Sequence, residues 1–267
     1  MGTHSSFSGS VPASYDRYLG PVLFEPYADD LVGRLEPRDD LRVLEVACGT
    51  GIVTRRLRQA LPAGATLVAT DLNEPMLAEA RTRVPLEGIE WRQADALELP
   101  FVDGSFDVYV CQFGLMFLPD KAEGLREARR VLAPGGRLVA NVWLSGSDNE
   151  HVRVIQSLLD RVYPEDTPTF LQVPHGYHDA DRIRGDLTAA GWEDATLDVV
   201  RVRSTSPTAH DFATGWATGS PLTHELVERG ADTTEFTREL AEELGASGGV
   251  EPYEVELGAI VISAARA

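Results

Sequence analysis

Residues 43 to 51 read Val-Leu-Glu-Val-Ala-Cys-Gly-Thr-Gly. Val43, Leu44, Val46 and Ala47 form the short apolar run that a buried parallel strand leaves. The run ends in a glycine turn, and Thr54-Arg55-Arg56-Leu57-Arg58 then opens a helical pattern. An acid, Asp71, stands twenty residues after Gly51, at the end of the next apolar run. Strand, glycine turn, helix and acid-terminated strand together describe a nucleotide-binding βαβ unit. Gly49 and Gly51 lack Cβ and so let backbone approach a ligand closely. Asp71 can accept two hydrogen bonds from a ribose diol.

A dinucleotide site fits this turn poorly. Its fingerprint needs Gly or Ala at the third glycine position, and here that position is Thr54. A pyrophosphate gains from loop amides and a positive helix end, and the carboxylate of Glu45 would oppose it. Glu45 suits a ligand with positive charge near the turn. S-adenosylmethionine carries a sulfonium and an α-ammonium, and no phosphate.

Further segments follow in order. They are Ala69-Thr70-Asp71-Leu72-Asn73-Glu74-Pro75-Met76-Leu77, then Gln93-Ala94-Asp95-Ala96-Leu97 through Leu99-Pro100-Phe101. Phe106-Asp107-Val108-Tyr109-Val110-Cys111-Gln112-Phe113 and Leu132-Ala133-Pro134-Gly135-Gly136-Arg137-Leu138 complete the set. Alone, Asp71 could cap the helix starting near Glu74-Pro75, and Asp95 could be a solvated loop acid. With Leu44 to Gly51 they resemble, in order and spacing over residues 40 to 143, the five motifs of the class I S-adenosylmethionine-dependent methyltransferases. The likeness is to the type-11 group, which includes quinone-biosynthesis and small-molecule enzymes. Ala47 departs from the pattern, standing where many members have glycine.

The resemblance implies an α/β fold: a doubly wound, mostly parallel seven-stranded sheet of order 3-2-1-4-5-7-6, strand seven antiparallel, with a helical lid. It also implies roles. Gly49 and Gly51, with Glu45 and Ala47, would lie at the methionine moiety, and Asp71 would bind the ribose. Leu72 and Met76 would pack on the adenine, with Asp95, Ala96 and Leu97 at its edge. Gln112 and Phe113 would lie by the methionine ammonium, and Tyr18 could close over the cofactor. S-adenosylhomocysteine would be the product.

Composition bears on partners. The net charge is -18, and Lys121 is the only lysine. Such an acidic chain lacks a general footprint for nucleic acid. Cys111-Gln112-Phe113-Gly114 stands where base-methylating enzymes of the superfamily often carry an Asn/Asp-Pro-Pro-Tyr/Phe segment. No apolar run reaches the length needed to span a bilayer, residues 1–10 do not read as a signal peptide, and a cytoplasmic location is expected. Cys48 and Cys111 give no disulfide framework. His175 and His178, beside Asp179 and Asp181, lie on a loop rather than a helix face, so no metal site is expected. Oligomeric state is not readable.

Helical and strand patterns alternate along the chain, which argues a parallel, doubly wound sheet. Residues 1–12 are expected to be disordered and residues 13–267 to form the domain, with a helical lead-in over 15–35. Strands are expected near 42–47, 66–70, 89–93, 106–111, 136–143, 196–203 and 255–264. Acceptor-side and lid elements are expected over about 144–250.

Methyl transfer from a sulfonium is an in-line displacement that asks mainly for proximity and orientation. A base is needed only where the acceptor holds its proton, and His151 and His175 are the candidates. Phe113, Phe117, Trp143, Phe170, Tyr177 and Trp216 are candidates for the acceptor pocket, whose ligand would be a small molecule methylated at O, N or C. Two other readings are a catalytically silent cofactor-binding protein and a NAD-dependent oxidoreductase.

Overall fold

The computed structural model describes residues 11–267; the expected disorder of residues 1–10 lies outside them. Residues 11 and 12, also expected to be disordered, are helical and buried. The chain divides into two compact units. One holds Tyr27–Trp143, Tyr177–Val200 and Ala259–Ala267; the other holds the residues up to Pro26, Leu144–Gly176 and Arg201–Gly258. The segment from Tyr177 to Val200, expected in the lid, thus belongs to the unit that carries the glycine turn.

The strands are β1 (Arg42–Val46), β2 (Thr66–Asp71), β3 (Ile89–Gln93), β4 (Phe106–Gln112), β5 (Leu132–Trp143), β6 (Thr196–Ser206) and β7 (Tyr253–Ala265). They form a seven-stranded sheet of order β3-β2-β1-β4-β5-β7-β6. The β1–β2, β1–β4, β2–β3 and β4–β5 pairs are parallel, and β5–β7 is antiparallel. Val43, Leu44, Ala69, Tyr109, Val110, Leu138 and Val139 are fully buried. That is the signature of a parallel sheet covered on both faces, and each such aliphatic side chain contributes about 1.5–3 kcal/mol.

β5 begins four residues before its expected start. Phe106 pairs with Leu132, and pairing resumes with Val108 opposite Arg137. Residues 133–136 form the bulge between, with Gly135 at φ 77° giving its amide to Arg266 O at 2.7 Å. Pro134 cannot donate to a ladder, and bulges are where strands tolerate it. At the start of β1, Arg42 grips Asp107 of β4 through Nε (3.0 Å), Nη2 (2.8 Å) and its own amide (2.9 Å). This holds the Asp107 carboxyl below its usual range.

Helices α2 (Glu25–Gly33), α3 (Ile52–Ala60), α4 (Glu74–Arg83), α5 (Lys121–Val131) and α7 (Ala180–Ala189) belong mainly or wholly to the sheet-bearing unit. Asp120 and Asp179 cap α5 and α7, accepting the amides of Glu123 and Arg182, as short acids do at helix starts.

The other unit is helical: α1 (Val11–Ser14), α6 (Glu150–Val162), α8 (Ala209–Thr218), α9 (Leu222–Glu228) and α10 (Thr233–Gly248). Residues Tyr15–Phe24 of the lead-in form a π-helix, in which the Glu25 amide reaches back to Gly20 O. Pro21 inside it has no amide to give, and a wider turn accommodates the break. α8 packs on α10 and on this π-helix; Phe212, Leu240 and Leu244 are fully buried. No helix among the described residues is long and apolar enough to cross a membrane.

Candidate cofactor site

Strand order reverses at β1, between β2 on one side and β4 on the other. Loops leaving the carboxyl ends of strands diverge at such a point and open a crevice. Here the loops are 47–51 after β1, 72–73 after β2 and 113–114 after β4.

The loop after β1 is left-handed at three positions: Ala47 (φ 55°), Gly49 (φ 56°) and Gly51 (φ 84°). Glycine takes this conformation freely; alanine pays about 1–2 kcal/mol for it. Ala47 is therefore a strained residue, a larger consequence of the missing glycine than the sequence suggests. No atom lies within 4 Å of where a Cβ at Gly49 would be, so the turn faces open space there.

Asp71 fastens the turn. Its Oδ2 accepts the Gly49 amide at 2.9 Å and its Oδ1 accepts the Asn73 amide at 2.8 Å. Oδ1 also accepts the Asn73 side-chain amide at 3.4 Å, so Oδ2 is the oxygen that keeps the lone pair a ribose hydroxyl would need. Burial raises its pKa, opposed by these amides.

Glu45, 2 % exposed, lies one residue before the end of β1. Its Oε2 has no hydrogen-bond partner among the described residues. Burial pushes its carboxyl up to about 8, with the Thr54 hydroxyl and amide pulling against the shift and Asp71 adding to it. Cys48 and Cys111 are both buried free thiols, raised by desolvation, Cys111 to about 12. Neither is an active nucleophile.

Met76 and Ala96 are buried, while Leu72, Leu97 and Gln112 are half-buried. Asp95 is exposed and accepts the Leu97 amide at 2.9 Å. Phe113 is left-handed (φ 50°), its amide shared between Asn141 O (3.2 Å) and Oδ1 (2.9 Å). Its ring stacks on Trp143, centroids 3.7 Å apart at 7°, and Tyr27 meets both rings edge-on. Phe113 and Trp143 are thus packed into one buried cluster. Asn141 and Tyr27 were not singled out in the sequence. Asn141 is a lone amide inside the apolar run Leu138–Trp143, and that was the available signal.

Tyr177 also departs from expectation. Its hydroxyl is spent on Asp186 Oδ2 at 2.9 Å, and Lys121 and Arg182 lie 5.5 and 5.4 Å from its ring centre. This is a packed, satisfied side chain, not one presented to an acceptor. Phe117 is half-buried in the 3-10 turn Leu115–Phe117.

The remaining candidates lie in the helical unit. Tyr18 is half-buried, with the Arg17 guanidinium 5.0 Å from its ring centre, and Phe170 is buried. His151 of α6 is buried against Phe212 and Trp216. Neither His151 Nδ1 nor Trp216 Nε1 has a hydrogen-bond partner among the described residues. Burial, then the nearby His175, lowers His151 to about 3. A base this weak is poorly matched to proton removal near neutral pH. His175 Nδ1 lies 2.9 Å from Leu144 O. A carbonyl only accepts, so Nδ1 carries the hydrogen and Nε2 the lone pair in the neutral ring. With Val152, Gln156, Ser157 and Leu171, His175 lines a cavity of about 580 Å³.

Residues 44–140 match the family model described as "Methyltransferase domain". Demethylmenaquinone methyltransferase of Thermus thermophilus is 47 % identical over 100 residues, covering 37 % of this chain and 45 % of the relative. The ubiquinone/menaquinone biosynthesis C-methyltransferase UbiE of a Ruegeria species is 41 % identical over 137 residues, covering 49 % and 54 %. The chain spans about half the length of the curated relatives it matches. A putative methyltransferase from Bacillus halodurans has the same fold, with a TM-score of 0.58 at 21 % identity, covering 90 % of this chain and 98 % of that one. Residues 44–140 are thus similar to a methyltransferase domain, and the seven-stranded sheet has the fold of the solved structure.

Proposed function

We propose that the chain transfers the methyl group of S-adenosylmethionine to a small-molecule acceptor. The observation that carries this reading is the left-handed turn Ala47–Gly51, pinned by Asp71 and backed by the partnerless oxygen of Glu45. The residues fit the methyl donor. Open space over Gly49 admits close backbone approach. Asp71 Oδ2 retains acceptor capacity for a ribose hydroxyl, in a charge-assisted bond worth about 1.5–3 kcal/mol. A buried carboxyl suits a ligand with net positive charge and would repel a pyrophosphate. Glu45, Ala47, Gly49 and Gly51 would hold the methionine end. Leu72, Met76, Asp95, Ala96 and Leu97 would hold the adenine. Gln112 and Phe113 would sit by the ammonium, and Tyr18 would cover the donor.

When bound, the donor supplies a methyl already activated by the sulfonium. The chain's part is to orient the acceptor atom in line with it and to exclude water. A quinol-type ring is the acceptor favoured by the relatives' names. Phe117, Trp143, Phe170 and Trp216 are the acceptor-side residues we propose. His175 is the proposed base, because its tautomer is set by Leu144 O, whereas His151 is held neutral by burial.

The test is calorimetric titration with S-adenosylhomocysteine against NAD, followed by methyl transfer to a panel of naphthohydroquinones, phenols and amines read by mass spectrometry. Binding of the homocysteine product with methylation of a panel member is expected. Tight NAD binding with no response to the methyl donor or its product would overturn the reading.

A further inference from the structure

Glu45 is a carboxylic acid with nothing to neutralise it. No Lys or Arg pairs with it among the described residues, and one of its oxygens is buried without a partner. The groups around it come from five segments. Asp71 ends β2 and repels it; Thr54 of α3 opposes with its hydroxyl and amide. Cys48 follows β1 and Cys111 lies in β4, and both thiols feel the Glu45 charge. Arg81 of α4 is a cation felt at Cys48, and Glu74 Oε1 lies 2.6 Å from it. Burial and Asp71 disfavour the charged form of Glu45 in the free protein and outweigh the opposing pull of Thr54. The turn that Glu45 precedes is the one built for a ligand.

We propose that Glu45 is a positioning residue that distinguishes the cationic methyl donor from its uncharged thioether product, becoming ionised only when a cation occupies the crevice. This rests on the methyl-transfer reading above. Donor and product carry the same ammonium and carboxylate, so the sulfonium charge is the sole electrostatic difference between them. In the free protein the carboxyl holds its proton, consistent with a pKa near 8. When the donor binds, Glu45 releases that proton to solvent, and the carboxylate faces a cation in a low-dielectric setting. After transfer, the electron pair of the broken sulfur–methyl bond stays on sulfur and the cation is gone. Glu45 then regains a proton from solvent, and the product is held without the charge pair that held the donor. Product release is favoured by the same residue that favours donor capture.

The test is isothermal titration of the full chain at pH 7.5 in phosphate and in Tris, whose ionisation enthalpies differ. S-adenosylmethionine is expected to release about half to one proton, and S-adenosylhomocysteine close to none. The affinity of the wild-type chain for the donor should also rise with pH toward 8, while that for the product stays level. In Glu45→Gln the proton release should vanish. The donor-to-product affinity ratio should fall at least about tenfold, the equivalent of one pKa unit. A residue with only a structural role would shift both ligands together and leave the proton count unchanged. Equal proton counts for the two ligands, or release retained in Glu45→Gln, would overturn the proposal while leaving methyl transfer intact. Binding of neither ligand would overturn both.

Discussion

Asp71 accepts the Gly49 amide at 2.9 Å across a separation of 22 residues. The acid at the end of β2 thereby sets the shape of the turn after β1. Structure and ligand binding are joined in one carboxylate, and a substitution must disturb both.

Asp71→Asn separates them in part. An amide oxygen can still accept one backbone hydrogen, but the amide nitrogen meets the other N–H donor to donor. Loss of one such bond should destabilise the chain by about 1–3 kcal/mol. The thermal shift produced by S-adenosylhomocysteine should be lost. A lowered melting temperature with a full cofactor-induced shift would remove Asp71 from ribose binding and leave it a loop clamp only.

Ala47 and Gly114 form a coupled pair. Ala47 is strained at φ 55°, and a Cβ at Gly114 would lie 2.6 Å from Ala47 Cβ and 2.7 Å from Cys111 Sγ. Ala47→Gly relieves the strain at some cost in unfolded-chain entropy, and a net gain of about 0.5–1 kcal/mol is expected. Gly114→Ala should destabilise, because backbone and strand core cannot yield. The double substitution should recover about 0.5–2 kcal/mol of that loss, and full recovery is not expected because the Cys111 clash remains. Urea unfolding of the four proteins gives the coupling; strict additivity would show that the two sites do not touch.

Much of this was legible before the structure. The run Val43–Ala47, the glycines at 49 and 51 and the acid at 71 mark the βαβ unit through simple rules of burial and backbone freedom. The strand order came with the family resemblance, because periodicity cannot say which strands are neighbours. What stayed hidden has a common cause. Asn141 holding the Phe113 amide, Tyr27 closing the Phe113–Trp143 stack, and Asp186 taking the Tyr177 hydroxyl are contacts between residues 28, 86 or 116, and 9 positions apart. Neither side of such a contact looks unusual in the chain. The burial of His151 was hidden in the same way, since Phe212 and Trp216 come from a helix about sixty residues further on. The strain at Ala47 was visible only as an absent glycine, and its size depends on a dihedral angle.

Glu45 and His151 should give stability opposite slopes with pH. Glu45 is raised from 4.5 to about 8, so its contribution is present in full below 4.5 and is lost as pH rises to 8. His151 is lowered from 6.5 to about 3, so its contribution is present above 6.5 and is lost as pH falls toward 3. The two cancel between 4.5 and 6.5. Between 6.5 and 8 Glu45 acts alone, and the wild-type chain should lose about 2 kcal/mol there, at about 1.4 kcal/mol per pH unit. Glu45→Gln should flatten that interval. His151→Leu should instead extend the decline down to 4.5. Urea midpoints at pH 5.5, 6.5, 7.5 and 8.5 read both; a Glu45→Gln profile parallel to wild type would show that the carboxyl is ionised in the free protein.

The two histidines should also part company in turnover. His151 has no titration near neutral pH and is packed against Phe212 and Trp216, so His151→Leu should keep turnover within a few-fold and leave the pH–rate profile unmoved. His175 has its tautomer set by Leu144 O and lines the cavity between α6 and residues 171–176. His175→Gln supplies no basic nitrogen. It should lower kcat about 100-fold with cofactor affinity unchanged, the scale expected for a lost general base. Unchanged kcat in His175→Gln, with an acceptor whose proton must leave, would mean that solvent takes the proton and that positioning alone accounts for the rate.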